Sequence, residues 1–411
     1  MARARVGLIA MAVVLVIPSA ARAQDVTAVT REAGRNIGGA ISGFWRREDV
    51  WSPYPAILPL LGGQDDIGIA LGLGYRRPPH SSAPPIAADF QVVSEFGTSG
   101  SVDFRIEFKA PGLSRNWRTF GTARYQLMPR APYLGVDNDS VKGESYQPTD
   151  DFYQYRLERW TFWGGVERRI GPSLWLSAGL HSRIYDTSPR SDSGRTLYGI
   201  DVVNGVIPRT THDATAELRL AIIHDSRDAE VAPTQGLHVI WLVAQGTRED
   251  GPAYRRVLAD AQEFIPITRQ RRTLLALRQS LTASQQPLPW YIAWEQVVRG
   301  IPQQDGVVGT KSIRLHGGYD YLATNRAFAS FDLRHILVNE ASPYWAPFRI
   351  WVAAFGDVGE IWDPASSKAK RQLWDAGTGI RFQLNKAVLY GMDLGYTDRG
   401  WAVSFTDYFA F

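Results

Sequence analysis

Val102-Asp-Phe-Arg-Ile-Glu-Phe-Lys-Ala (102–110) decides the fold. Successive side chains of a strand point to opposite faces, so Val102, Phe104, Ile106, Phe108 and Ala110 share one face. Asp103, Arg105, Glu107 and Lys109 share the other. Trp374, Ala376, Thr378, Ile380, Phe382 and Leu384 repeat the pattern against Asp375, Gly377, Gly379, Arg381 and Gln383. Ala216, Leu218, Leu220 and Ile222 do so against Glu217, Arg219, Ala221 and Ile223. A soluble sandwich alternates too, but its apolar face meets a second sheet. Here tryptophans cluster near strand ends (Trp117, Trp160, Trp163, Trp241, Trp362, Trp374, Trp401), as girdles at a membrane interface do. Charges of both signs then face a wet or plugged lumen. The reading is all-β: a transmembrane antiparallel barrel.

Working outward, the chain divides into sixteen such segments, from 66–77 to 400–411, with the eleventh over 290–298. An even count suits a single-chain bacterial barrel, and closure spares lipid-facing backbone groups a cost of several kcal/mol each. Long polar connections at 128–152, 186–212 and 299–325 read as external loops; the tight ones at 171–172, 266–269 and 398–399 read as periplasmic turns. Trp51-Ser-Pro-Tyr-Pro (51–55) reads as a break in regular structure.

The N-terminus carries an address. Arg3 and Arg5 precede an apolar run from Val6 to Ile17, and Ala21-Arg22-Ala23 supplies small residues for cleavage. That run is too short for a helix across a bilayer, which needs roughly 20 residues. The expected division is a signal peptide at 1–23, a short periplasmic segment at 24–64 and the barrel at 65–411. Losing Arg3, Arg5 and Arg22 takes the formal charge from +4 to +1, and no basic tract suggests nucleic acid. With no cysteine, disulfide and thiolate chemistry are excluded.

Catalytic and metal patterns are missing from the sequence. Seven histidines show no H-E-x-x-H spacing, and there is no G-x-S-x-G elbow, phosphate loop or dinucleotide fingerprint. No cofactor, metal site or catalytic residue is expected. An outer-membrane hydrolase would need residues scattered over several strands.

Four stretches resemble the BamA/TamA superfamily of bacterial surface antigens. His224-Asp-Ser-Arg-Asp-Ala-Glu-Val-Ala-Pro-Thr-Gln-Gly (224–236) is similar to its D-x-R-D…P-x-x-G hairpin, through Asp225, Arg227, Asp228, Pro233 and Gly236. Tyr133-Leu-Gly-Val-Asp-Asn-Asp-Ser (133–140) resembles Y-x-G-x-G-N-x-S, with Asp137 in place of a glycine. Phe355-Gly-Asp-Val-Gly-Glu-Ile-Trp (355–362) matches F-x-D-x-G-x-x-W. Val298-Arg299-Gly300-Ile301 is similar to the loop tetrad V/L-R-G-Φ, with Ile301 replacing the usual aromatic. The last strand, with Trp401, Phe405, Phe409 and Phe411 on one face, resembles the C-terminal insertion signal of outer-membrane barrels; Asp407 interrupts that face.

The resemblance implies an outer-membrane location and a sixth external loop whose arginine is held in the lumen by acidic residues at Asp332 and Asp357. Strand alternation agrees in turning both inward. Leu315-His-Gly-Gly-Tyr (315–319) competes for the folded-in position, but no arginine lies within it, so Arg299 is the expected anchor. Residues 24–64 are too short for the family's periplasmic POTRA domains. The expected function is therefore a non-catalytic component of protein insertion or translocation, or a POTRA-less derivative of one. A passive or gated pore is the alternative. Outer-membrane lipid, the assembly machinery during biogenesis and an unidentified protein are the expected partners of a monomer.

Overall fold

The computed structural model describes residues 52–54, 68–77, 88–114, 116–133, 151–190, 196–207, 211–229, 232–249, 251–286, 314–315, 325–342, 345–362, 371–384, 388–398 and 400–406. Sixteen strands form one sheet in strict sequence order. They are β1 (Ser52–Tyr54), β2 (Gly68–Arg77), β3 (Ala88–Gly97), β4 (Val102–Ser114), β5 (Trp117–Pro132), β6 (Gln154–Arg169), β7 (Leu174–Ser188) and β8 (Thr211–Asp225). There follow β9 (Gly236–Arg248), β10 (Tyr254–Pro266), β11 (Thr273–Ser284), β12 (Asn325–Ser342), β13 (Trp345–Trp362), β14 (Arg371–Leu384), β15 (Val388–Thr397) and β16 (Gly400–Thr406). Each pairs antiparallel with the next, the up-and-down order of an outer-membrane barrel. Among the described residues no ladder joins β16 to the first strands.

Two strands differ from expectation. The ladder passes from β11 straight to β12, with Thr273 opposite His335 and Thr282 opposite Arg326. The segment 290–298 therefore adds no strand between them, and it lies outside the described residues. The sixteenth strand is β1, in the stretch read as a break; Ser52–Tyr54 pairs with Gly72–Gly74 of β2. Pro53 has no N–H to donate, which an edge strand tolerates.

The burial pattern is the inverse of a soluble protein's. On β8, Leu218, Leu220 and Ile222 stand about half exposed on the outer face, while Glu217 is wholly buried. Trp117, Trp160, Trp241, Trp374 and Trp401 are exposed outward. Trp163 is the exception to the girdle. Its neighbour Phe162 takes the outer face, so Trp163 turns into the lumen, where Arg219 lies over its ring at 4.5 Å. Cation–π contact suits a guanidinium shielded from water.

Along its axis the interior has layers. At the long-loop end, Tyr133, Tyr155, Tyr185, Tyr198, Tyr254 and Leu157 form an aromatic cap. Helix α1 (Leu197–Val203) packs there, started by Thr196, whose hydroxyl accepts from the Gly199 N–H at 3.0 Å. At the short-turn end Ala232, Phe264, Leu274, Ala276, Ile336 and Trp351 close an apolar layer. Charged side chains fill much of the space between.

Candidate functional site in the barrel lumen

The inner faces of four neighbouring strands form an acidic wall. β12 supplies Asp332 and Arg334, β13 Phe355 and Asp357, β14 Asp375 and Arg381, and β15 Asp393. Asp357 stands opposite Asp375 in the ladder, a like-charge pairing that strands avoid unless a cation intervenes. Arg381 answers Asp393 through two contacts of 2.7 and 2.8 Å, and Arg334 answers Asp332 at 2.9 and 3.0 Å. Asp357 and Asp375 are left for a group from elsewhere.

That group comes from the loop between β11 and β12. Arg314 is buried at 1% exposure and grips Asp357 with two side-chain hydrogen bonds, Nε at 2.7 Å and a terminal nitrogen at 2.8 Å. Its backbone N–H donates to the same carboxylate at 3.1 Å. A terminal nitrogen also pairs with Asp332 at 2.7 Å, and the guanidinium lies 4.1 Å above the Phe355 ring. The next residue continues the grip, since the Leu315 N–H donates to Asp375 at 2.8 Å. One turn thus engages three carboxylates from three strands. The planar fork of arginine makes this possible where lysine's point charge would not.

The wall is shaped to admit that turn. Phe355, Gly377 and Gly395 form one cross-strand row. A Cβ on Gly377 would lie 2.6 Å from the Gly395 Cα and 2.8 Å from the Phe355 ring, and would collide with the Leu394 carbonyl. A Cβ on Gly395 would lie 2.7 Å from the Leu315 side chain. The two glycines therefore leave the space in which Phe355 lies flat and Leu315 seats.

Asp332 and Asp357, read from the sequence as luminal acids, both face the lumen and both meet an arginine. Val298, Arg299, Gly300 and Ile301 lie outside the described residues, and the guanidinium between the two carboxylates belongs to Arg314. Arg314 sits immediately before Leu315-His-Gly-Gly-Tyr, the competing stretch set aside for want of an arginine; extending it by one residue would have supplied one. Asp375 and Phe355 were also missed as partners.

The 224–236 hairpin is an ordered short turn. Arg227 grips Asp225 at 2.8 and 2.9 Å, and Asp228 accepts the Thr234 and Gln235 N–H groups at 2.8 and 3.3 Å. Gly236 has φ +107°, where a side chain would strike the Ser226 carbonyl. Pro233 is buried, and neighbouring Ala232 joins the apolar layer. Of the terminal aromatics, Trp401 is exposed on β16; Phe405 belongs to that strand, and Phe409 and Phe411 lie outside the described residues. Among the described residues no cluster of three or more metal-ligating side chains occurs.

The sequence of residues 88–291 matches the Omp85 superfamily domain. In structure, 93% of the chain aligns with 79% of BamA from Haemophilus ducreyi lacking POTRA domains 1–3, at 13% identity and a TM-score of 0.50. CdiB from Escherichia coli aligns over 82% of this chain at 15% identity and a TM-score of 0.51. This chain spans only 58% of that CdiB, so the likeness covers little more than half of it. No curated protein matches by sequence.

Proposed function

We propose that the chain is an outer-membrane barrel of the Omp85 kind that acts without catalysis in protein insertion or translocation, with its β11–β12 loop as a luminal plug; the match of residues 88–291 to the Omp85 superfamily domain supports this reading. The observation that carries this reading is the seat of Arg314 among Asp332, Asp357 and the Phe355 ring. A buried ion pair costs desolvation that its Coulomb attraction only partly repays, so it is weak evidence of a stability role. It suits a device that must be either fully seated or fully withdrawn, because half-seating strands charges on both sides.

Single-channel recording tests this. The intact protein is expected to show a low, flickering conductance that rises when residues 299–325 are deleted. A large, steady conductance in the intact protein would favour the alternative, a passive pore for small solutes.

A further inference from the structure

At the short-turn end the charge sits on a turn and not in the lumen. Between β10 and β11 the chain runs Ile265-Pro-Ile-Thr-Arg-Gln-Arg-Arg-Thr (265–273), which puts three arginines within four residues. Arg269, Arg271 and Arg272 are all exposed. Arg271 reaches Asp228 of the neighbouring β8–β9 turn at 3.8 Å, a contact worth little in open solvent. Among the described residues no carboxylate pairs with Arg269 or Arg272.

The backbone of this turn is closed without help from any guanidinium. The Thr268 hydroxyl accepts from the Arg272 and Thr273 N–H groups at 3.0 and 3.1 Å, and the Thr268 carbonyl accepts from the Arg271 N–H at 2.8 Å. The Thr273 carbonyl accepts from Ile267 and Thr268 at 2.8 and 3.3 Å, and the Thr273 hydroxyl lies 2.8 Å from Nδ1 of His335 on β12. Arg271 nevertheless has φ +55°, in the left-handed region that glycine enters without strain. An arginine held there against its backbone preference points to a use for its side chain.

The flanks of the turn continue the lipid-facing wall. Ile265 and Ile267 are 38% and 57% exposed, and Leu333 and Leu337 of β12 are exposed beside them. Leu333 and Leu337 alternate with buried Arg334 and Ile336, which puts them on the outer face. Charge therefore meets apolar surface here, as it does where acyl chains give way to headgroups. Arginine suits that boundary, because its stem is apolar and its head is charged. The short-turn end is the periplasmic one in barrels of this kind, and the periplasmic leaflet of an outer membrane is phospholipid. A phosphodiester offers two oxygens to the guanidinium fork, and a net negative headgroup adds long-range attraction.

We propose that the β10–β11 turn is a docking site for anionic phospholipid of the periplasmic leaflet, with Arg269, Arg271 and Arg272 on the headgroup phosphates and Ile265 and Ile267 among the acyl chains. The site is separate from the seat of Arg314 and does not depend on whether that loop acts as a plug.

Thermal unfolding of the full chain in a non-ionic detergent tests it, with phosphatidylglycerol or phosphatidylcholine titrated in. Phosphatidylglycerol is expected to raise the melting temperature saturably and well above the effect of phosphatidylcholine, since a ligand bound only by the folded state stabilises it. Arg269→Gln combined with Arg272→Gln should weaken the apparent phosphatidylglycerol affinity roughly tenfold to thirtyfold, and should melt like the wild type without lipid. Arg271→Gly should melt at or above the wild type without lipid, yet respond less to phosphatidylglycerol. Equal effects of the two lipids overturn the site, as does an undiminished response in either variant. A lipid-free loss of stability in Arg271→Gly would assign that side chain to the turn instead. A shift as large from soluble glycerol phosphate or from a polyglutamate peptide would replace the lipid with a free anion or an acidic protein.

Discussion

The two charged walls of the lumen balance their charge by different means. On β12–β15 four carboxylates face Arg334 and Arg381, and a third guanidinium, Arg314, arrives on a loop. On β7–β12, Glu217 and Asp260 and the arginines that grip them, Arg219, Arg256 and Arg278, are all carried on the wall itself. The difference lies in where the compensating charge is tethered. A pair such as Arg381 with Asp393, both built into neighbouring strands, can part only if the ladder breaks. Arg314 can leave while every strand stays paired, so the acidic wall can exist in two states. The pairs of Arg256 with Glu217 and of Arg278 with Asp260 are of the first kind, tethered strand to strand.

The largest effect is expected from removing the loop cation. Arg314→Ala leaves Asp332, Asp357 and Asp375 short of one buried positive charge, a change that typically costs about 3–5 kcal/mol. It should lower the temperature at which the folded, fast-migrating band disappears on heated gels, and expose the 299–325 loop to protease. Arg299→Ala, by contrast, should cost less than Arg314→Ala, because Asp332 and Asp357 already hold Arg314. If Arg299→Ala unseats the loop and Arg314→Ala does not, the anchor belongs to the earlier tetrad and the comparison of walls fails.

A smaller effect tests the seat rather than the cation. Gly377→Ala places a methyl against the Leu394 carbonyl and the Phe355 ring, and the backbone oxygen cannot move aside as a side-chain tip would. Overpacking of this kind costs about 1–3 kcal/mol. The loop should become protease-sensitive even though all the charges remain. A variant that loses barrel stability yet keeps the loop protected would show that Gly377 serves the sheet alone.

Much of the architecture is legible in the residues because a membrane barrel writes its two solvents into alternate positions. Leu218, Leu220 and Ile222 against Glu217 and Arg219 can be read by eye. Residues 290–298 read as a strand on a short apolar run, which says nothing about its neighbours, and the pairing of β11 with β12 leaves no place for one between them. Trp163 was placed in the girdle by type, when its parity with Phe162 already turned it inward. Asp332 and Asp357 follow from alternation, but the identity of their cation does not. Arg314 lies 18 and 43 residues before them, and its choice over Arg299 depends on how deep the loop reaches. Asp375 looked like any inward polar residue, because its meaning comes from standing opposite Asp357 across the ladder.

The smallest effect separates the plug from the cap above it. Tyr133 and Tyr198 lie beyond the strands in the aromatic cap, and burial raises both phenol pKa values; the Asp201 carboxylate, which accepts from the Tyr133 hydroxyl at 2.8 Å, raises Tyr133 further. A raised phenol pKa means the folded cap prefers the neutral hydroxyl. Its contribution is complete below the ordinary phenol value of about 10 and is lost as pH climbs above it. Arginine stays protonated through that range, so the grip of Arg314 does not weaken with it. Raising the pH from about 9 to about 11 should therefore open the β7–β8 loop that carries α1 to protease while 299–325 stays protected, with Tyr133→Phe abolishing part of the change. Simultaneous opening of both loops would mean that the plug is held by the cap above it and not by its own carboxylates.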